Sequence, residues 1–243
     1  YPDFARFFDS HGLLNAVDRP RWRTVVGGSR SYVKKLLEDF RGQLHLNTPV
    51  TQLRRTEHAA WLRVRGEEQR FDAVILACHA DQSPRLLADA DEAECAVLRG
   101  VPYVPNRAIL HSDESLLPKR RAAWSSWNYL GREDALNDDP VTVSYWMNRL
   151  QGLAGSTQYI VTLNPPRPPR PETVIHQVDY QHPRFTPATV TARRRLPEVQ
   201  GRRRTWYCGA WTGYGFHEDG LKSAVNVARA LGVEIPWEES SRT

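Results

Sequence analysis

Between residues 29 and 41, the apolar positions Val33, Leu36, Leu37 and Phe40 recur at helical spacing, and Gly42 follows as a stop; the pattern predicts a helix. Val25-Val26-Gly27-Gly28-Ser29 ahead of it reads as a tight glycine turn with Ser29 as N-cap. Strand-like runs follow at 43–46, 49–55 and 60–65. The last of these alternates Trp61, Arg63 and Arg65 against Leu62 and Val64, as a half-buried strand does. Glu67 and Glu68 after Gly66 suit a hairpin turn. Residues 71–78 are apolar almost throughout and stop at His79, which suits a parallel strand covered on both faces. Helical stretches follow at about 80–89 and 91–99.

From 100 to 200 the texture changes. Pro165, Pro166, Pro168, Pro169 and Pro171 crowd one loop, and strand-like runs at 106–111, 122–129, 141–147, 158–163 and 173–179 have no helix between them. Consecutive strands of this kind predict an antiparallel sheet. The α/β texture resumes with a strand at 204–209 and a helix at 219–231. The expected organisation is therefore an α/β layer, residues 1–100 and 201–243, split by an antiparallel insertion at 101–200.

Composition narrows the function classes. Hydrophobic residues make up 40% and charged residues 25%, a globular balance, and no apolar run approaches the ~20 residues of a membrane span. No signal peptide opens the chain, so a cytoplasmic location is expected. Tyr1 is not an initiator Met and 1–8 (YPDFARFF) reads as packed material, so the coding sequence is expected to begin upstream. Net charge is +5, but the Arg clusters at 119–121, 193–195 and 202–204 lie in separate segments without any nucleic-acid-binding signature. They read as solvated surface, with no nucleic-acid partner. Cys78, Cys95 and Cys208 are far apart and form no CxxC, which speaks against a disulfide framework and a zinc site.

The richest segment runs from Trp206 to Leu231. A strand ends at Gly209, a glycine- and aromatic-rich loop crosses, and a helix begins near Asp219-Gly220, with Leu221, Ala224, Val225 and Ala228 on one expected buried face. Unpaired N–H groups and the helix dipole at such a start stabilise anionic or polar ligand atoms. Gly213, Gly215 and Gly220 would let a ligand approach the backbone. Read blandly, the same residues are a capped helix after a loop. Glu218 and Asp219 are adjacent in a turn, and so make a poor carboxylate pair for glycoside hydrolysis.

The order of these features resembles the C-terminal portion of FAD-dependent amine-oxidase-like proteins, and among them a bacterial group of predicted NAD/FAD-binding proteins. The resemblance is carried by the segments starting at Trp22 (WRTVVGGSRSYV), Ile75 (ILACHADQ), Ala123 (AWSSWNY), Tyr145 (YWMNRLQ), Thr162 (TLNP) and Cys208 (CGAWTGYGFHEDGL). It implies a partial Rossmann-like FAD/NAD(P)-binding domain of α/β class with an inserted antiparallel substrate subdomain. It also implies roles: Val50 meets the adenine, Ala77 lies near the dinucleotide, and Gly209 and Ala210 flank the pyrophosphate and ribityl chain. Asp219, Gly220 and Leu221 start the helix at the flavin's pyrimidine edge, with Trp211, Tyr214, Phe216 and His217 bordering the ring.

Two departures from the family pattern stand out. The G-x-G-x-x-G fingerprint is nowhere in the chain, so FAD binding is expected to need a missing N-terminal segment. The usual acidic residue after the last strand's Gly is here Ala210. The expected activity is hydride transfer from a C–N or C–C bond of an apolar or lipid-like small molecule to FAD, with His217 as the residue for tuning or proton transfer. His79 and His111 read as structural. From another class comes a non-catalytic module, in which some of the eight Trp residues form a face for carbohydrate or lipid.

Overall fold

The computed structural model describes residues 23–130 and 142–238. The expectations for residues 1–8, Trp22 and Val141 lie outside the described residues. In chain order the elements are α1 (Ser29–Glu38), β1 (Val50–Arg55), β2 (Ala60–Val64), β3 (Glu67–Phe71), β4 (Val74–Leu76), α2 (Ser83–Leu86) and α3 (Glu92–Arg99). There follow β5 (Tyr103–His111), β6 (Trp127–Leu130), β7 (Thr142–Trp146), α4 (Met147–Gln151), β8 (Ile160–Leu163) and β9 (Val174–Pro183). The last are α5 (Pro187–Arg195), β10 (Thr205–Tyr207) and α6 (His217–Ala230). No described helix is long and apolar enough to cross a membrane.

The chain divides into two compact units: residues 1–42 with 105–182, and residues 43–104 with 183–243. Residues 183–200, read from the sequence as part of the insertion, fall in the second. They carry α5, a helix the strand-only reading missed. Its signal is Thr186-Pro187-Ala188-Thr189, a threonine capping box with Pro at the first turn; Thr186 Oγ1 accepts from the Thr189 amide at 3.2 Å.

In the 43–104/183–243 unit, β1, β2 and β3 form an antiparallel meander. A hairpin forms as expected, but its two-residue turn is Arg65 (φ 51°) and Gly66 (φ 87°), and Glu67 and Glu68, expected in the turn, open β3. β4 and β10 pair in parallel, Val74 against Thr205 and Leu76 against Tyr207. Leu53, Val74, Leu76, Val97, Leu98, Val199, Tyr207 and Trp211 share one buried core. Each fully buried aliphatic side chain there contributes about 1.5–3 kcal/mol.

A charged knot is set into that core. Arg55 Nη1 and Nη2 donate to the two Glu94 carboxylate oxygens at 2.6 and 2.9 Å, and both side chains are fully buried. The Tyr207 hydroxyl donates to Glu94 Oε1 at 3.0 Å, and Arg203 Nη2 donates to Oε2 at 2.7 Å. β1, the start of α3 and β10 are thereby locked in register. The Arg202–Arg204 cluster belongs to this internal network: Arg202 pairs with Asp91, and Arg204 Nε donates to the Glu57 carbonyl.

The other unit holds a five-stranded sheet in the order β6-β7-β8-β5-β9. Its two faces are inverted relative to ordinary expectation. Asn128, Thr142, Ser144, Thr162 and His111, with Ile109 and Ile160 among them, occupy the buried face. Trp127, Tyr129, Val143, Tyr145, Val161, Leu163 and Leu110 occupy the other, which is half-buried to exposed. The buried polar groups satisfy one another in a directed chain. The Asp113 amide donates to His111 Nδ1 (3.1 Å), so the ring proton is on Nε2 and donates to Thr162 Oγ1 (2.8 Å). Thr162 then donates to Ser144 Oγ (2.8 Å), and Ser144 to the Leu116 carbonyl (3.2 Å). Burial holds the His111 pKa below its ordinary value, consistent with this neutral tautomer.

Several local expectations differ from the structure. Residues 43–46 form no strand, and the run at 122–129 opens with a 3-10 turn, Arg121–Ala123, before β6. α1 is capped by Gly28 rather than Ser29, and it buries none of its residues.

Candidate flavin-side site

The site is built on the C-terminal ends of β4 and β10. The Cys208 amide donates to the Leu76 carbonyl (3.1 Å), bringing Ala77 and Gly209 side by side. Gly209 has φ 141°, a conformation that side chains disfavour, and a Cβ there would lie 2.9 Å from the Trp211 ring. Its amide donates to Ser223 Oγ (2.8 Å), and Ser223 in turn donates to the Gly220 carbonyl (2.7 Å). One hydroxyl thus ties the strand end to the first turn of α6. A Cβ at Gly220 would touch only Ala210, 3.7 Å away at the nearest, so the helix start lies directly against the strand end.

Asp219 closes the loop on itself. Its Oδ2 accepts from the Tyr214 and Phe216 amides, both at 3.0 Å, and a Cβ on Gly213 would sit 2.2 Å from its Oδ1. Gly213 is therefore required by Asp219, a neighbour in the fold; the space over it is not left for a ligand. His217 and Glu218 begin α6 and are exposed, and Lys222 pairs with Glu218 at 3.7 Å.

Of the residues singled out in the sequence, Ala77, Gly209, Ala210, Trp211, Asp219 and Gly220 converge here, with Tyr214 and Phe216 on the connecting loop. Val50 opens β1 in the meander and belongs to a different sheet. Leu221 is 48% exposed; α6 buries Ser223 and Val227 instead of the expected face of Leu221, Ala224, Val225 and Ala228. Ile75 of β4 is likewise 47% exposed, so the strand is covered on one face only. No motif in the sequence points to Ser223 or Gln200. The Gln200 carboxamide accepts from the Tyr207 amide (2.8 Å) and donates to the Tyr207 carbonyl (2.7 Å), occupying the outer edge of β10 as a strand would.

Solved structures similar to this chain are FAD-dependent oxidoreductase folds of mixed helices and sheets. The chain matches the family of flavin containing amine oxidoreductases over residues 4–232, and it belongs to that family. Flavin, as FAD, is the family's cofactor. A fatty acid isomerase from P. acnes that produces CLA superposes with a TM-score of 0.62 at 14% identity, covering 85% of this chain and 52% of that one. A protein from Exiguobacterium provisionally named a protoporphyrinogen oxidase gives 0.58 at 13%, covering 95% and 58%. A putrescine oxidase variant gives 0.58 at 11%, covering 85% and 53%. At these identities the likeness is one of fold, and the chain spans little more than half the length of these structures. A search of curated proteins finds no match.

The residues present fit a flavin in one telling respect. Trp211 is buried, and its Nε1–H has no hydrogen-bond partner among the described residues, although buried donors are almost always paired. It lies beside Gly209, at the strand end where the helix start also presents its amides.

Proposed function

We propose that this chain carries the flavin-ring end of the cofactor site, together with a substrate-binding face, of an FAD-dependent oxidoreductase acting on apolar small molecules. The observation that carries the flavin reading is the strand end itself: Gly209 in a glycine-only conformation, an orphaned Trp211 N–H, and α6 starting against Ala210. When bound, FAD supplies the two-electron acceptor for a substrate C–N or C–C bond. Gly209, Ala210 and Gly220 would let it approach the backbone closely, because none of them carries a bulky side chain, and Trp211 would offer its N–H. The first turn of α6 would stabilise negative charge on it by about 0.3–1 kcal/mol. Phe216, Tyr214 and Leu221 supply apolar surface that excludes water. His217, at the first turn of α6, is our candidate for proton transfer, a role that rests on the family resemblance.

The half of the fold that the similar structures possess and this chain lacks completes the cofactor site. Gln200 already occupies the β10 edge, whereas no described residue pairs with the other edge of β4. Ile75 of β4 also remains exposed, as do Leu221 and Ala224 of α6. A further strand parallel to β4 fits that edge, and such a segment supplies the glycine-rich cradle absent here.

The substrate class rests on the inverted sheet. Trp127 (49% exposed) and Tyr129 (69%) stand on the open face with Tyr145, Val143 and Leu163, a surface that favours an aliphatic or aromatic ligand over a charged one. The test is anaerobic mixing of the FAD-loaded, completed protein with long-chain and short-chain amines and acids. Long-chain compounds are expected to bleach the flavin band near about 450 nm, and Trp127→Ala to weaken that response several-fold. If no apolar compound bleaches the flavin but aliphatic ligands or oligosaccharides still quench Trp127 fluorescence, the exposed aromatic stripe belongs to a binding module instead.

A further inference from the structure

Taking as its basis the reading that the 209–221 loop borders the flavin, we propose that Arg193 is the positioning residue of that loop, clamping it from α5 while Asp219 holds it from α6. Arg193 lies in the segment 183–200, to which no cofactor role was assigned. Its Nη1 donates to the Gly213 carbonyl. Its guanidinium lies over two rings at once, 5.3 Å from the centroid of Phe185 and 5.7 Å from that of Tyr214.

The two holds meet at Gly213. Its carbonyl is taken by Arg193, and its missing Cβ leaves room for the Asp219 carboxylate, which accepts from the Tyr214 and Phe216 amides. A Cβ on Gly215 (φ 92°) would stand 3.6 Å from the Phe185 ring. The loop is fixed from both flanking helices with its aromatic side chains still presented: Tyr214 half-buried and Phe216 43% exposed. A planar guanidinium suits this place because it stacks on aromatic faces and donates in its own plane, which an ammonium does not.

The experiment compares the wild type with Arg193→Met and Arg193→Lys by two readouts. Hydrogen exchange of the Tyr214 and Phe216 amides, measured on this chain, is expected to speed up about tenfold in Arg193→Met and less in Arg193→Lys, with melting temperatures close to wild type. FAD titration of the completed protein is expected to show a dissociation constant about tenfold higher and an altered flavin absorbance envelope in Arg193→Met, with Arg193→Lys intermediate. Unchanged exchange in Arg193→Met overturns the clamp. Faster exchange with unchanged FAD affinity and spectrum overturns the positioning role. A wild type that takes up no FAD overturns the flavin reading and the positioning role with it, and the exchange data then identify which premise failed.

Discussion

At the scale of single residues, the most consequential group is Glu94. It is wholly buried, and its charge is tolerated because Arg55, Arg203 and the Tyr207 hydroxyl all bond to it. Burial alone would raise its pKa, but the Arg55 bonds win and hold it below the ordinary carboxylate value. Arg55→Met removes the bidentate partner and leaves a buried carboxylate short of compensation. The expected cost is about 3–5 kcal/mol, read as a fall in the denaturant midpoint; Glu94→Gln, which removes the charge and keeps the shape, is expected to cost less.

The same groups set the acid limit of stability. Burial opposes ionisation of Asp113, yet bonds from Ser115 and the Arg170 amide bring its pKa down to about 2. A carboxylate depressed in the folded state stabilises it above the unfolded pKa, and that contribution is lost as pH falls through the folded one. Asp113 and Glu94 therefore withdraw stability below about pH 4. His111, neutral and depressed by burial, begins to do so below about pH 6.5, where the unfolded ring charges first. Urea midpoints at pH 7, 5 and 3 are expected to fall in two stages, and His111→Asn to flatten the first.

At the scale of elements, β10 shows how a side chain can stand in for a strand. Gln200→Ala leaves the amide and carbonyl of Tyr207 without their partner, at an expected cost of about 1–3 kcal/mol. It also opens a strand edge, so concentration-dependent association in light scattering is expected to accompany the loss. Periodicity located most elements because their apolar spacing is local: the hairpin at Arg65-Gly66, the parallel strands, and the helix after the glycine loop. It misplaced faces where burial is decided by distant partners. Alternation in β6, β7 and β8 marks two faces but not which is inside; here the hydroxyl and amide face is buried because His111, Thr162 and Ser144 satisfy one another. Likewise Leu221, Ala224, Val225 and Ala228 form a regular apolar stripe on α6, yet the described fold packs Ser223 and Val227 instead. α5 was missed because a proline-rich, arginine-rich stretch carries little apolar periodicity; only its threonine box announced it.

At the scale of the whole molecule, a run of antiparallel strands and the glycine loop were legible, but the bounds of the compact units were not: residues 23–42 group with 105–182, and 183–200 with the other unit. Nor were the ties between residues, because Ser223, Gln200 and Arg193 act through contacts that no motif encodes. The family is established over residues 4–232, and the chain spans little more than half the length of the similar solved structures. The central claim is that these residues form one end of an FAD site whose other end lies in a further segment. The most direct test is the visible absorbance spectrum, after addition of FAD and removal of the excess, of this chain alone and of the chain completed by an upstream half. The account predicts a flavin band at about 450 nm in the completed protein and little or none in the chain alone. A completed, folded protein that stays colourless would contradict it.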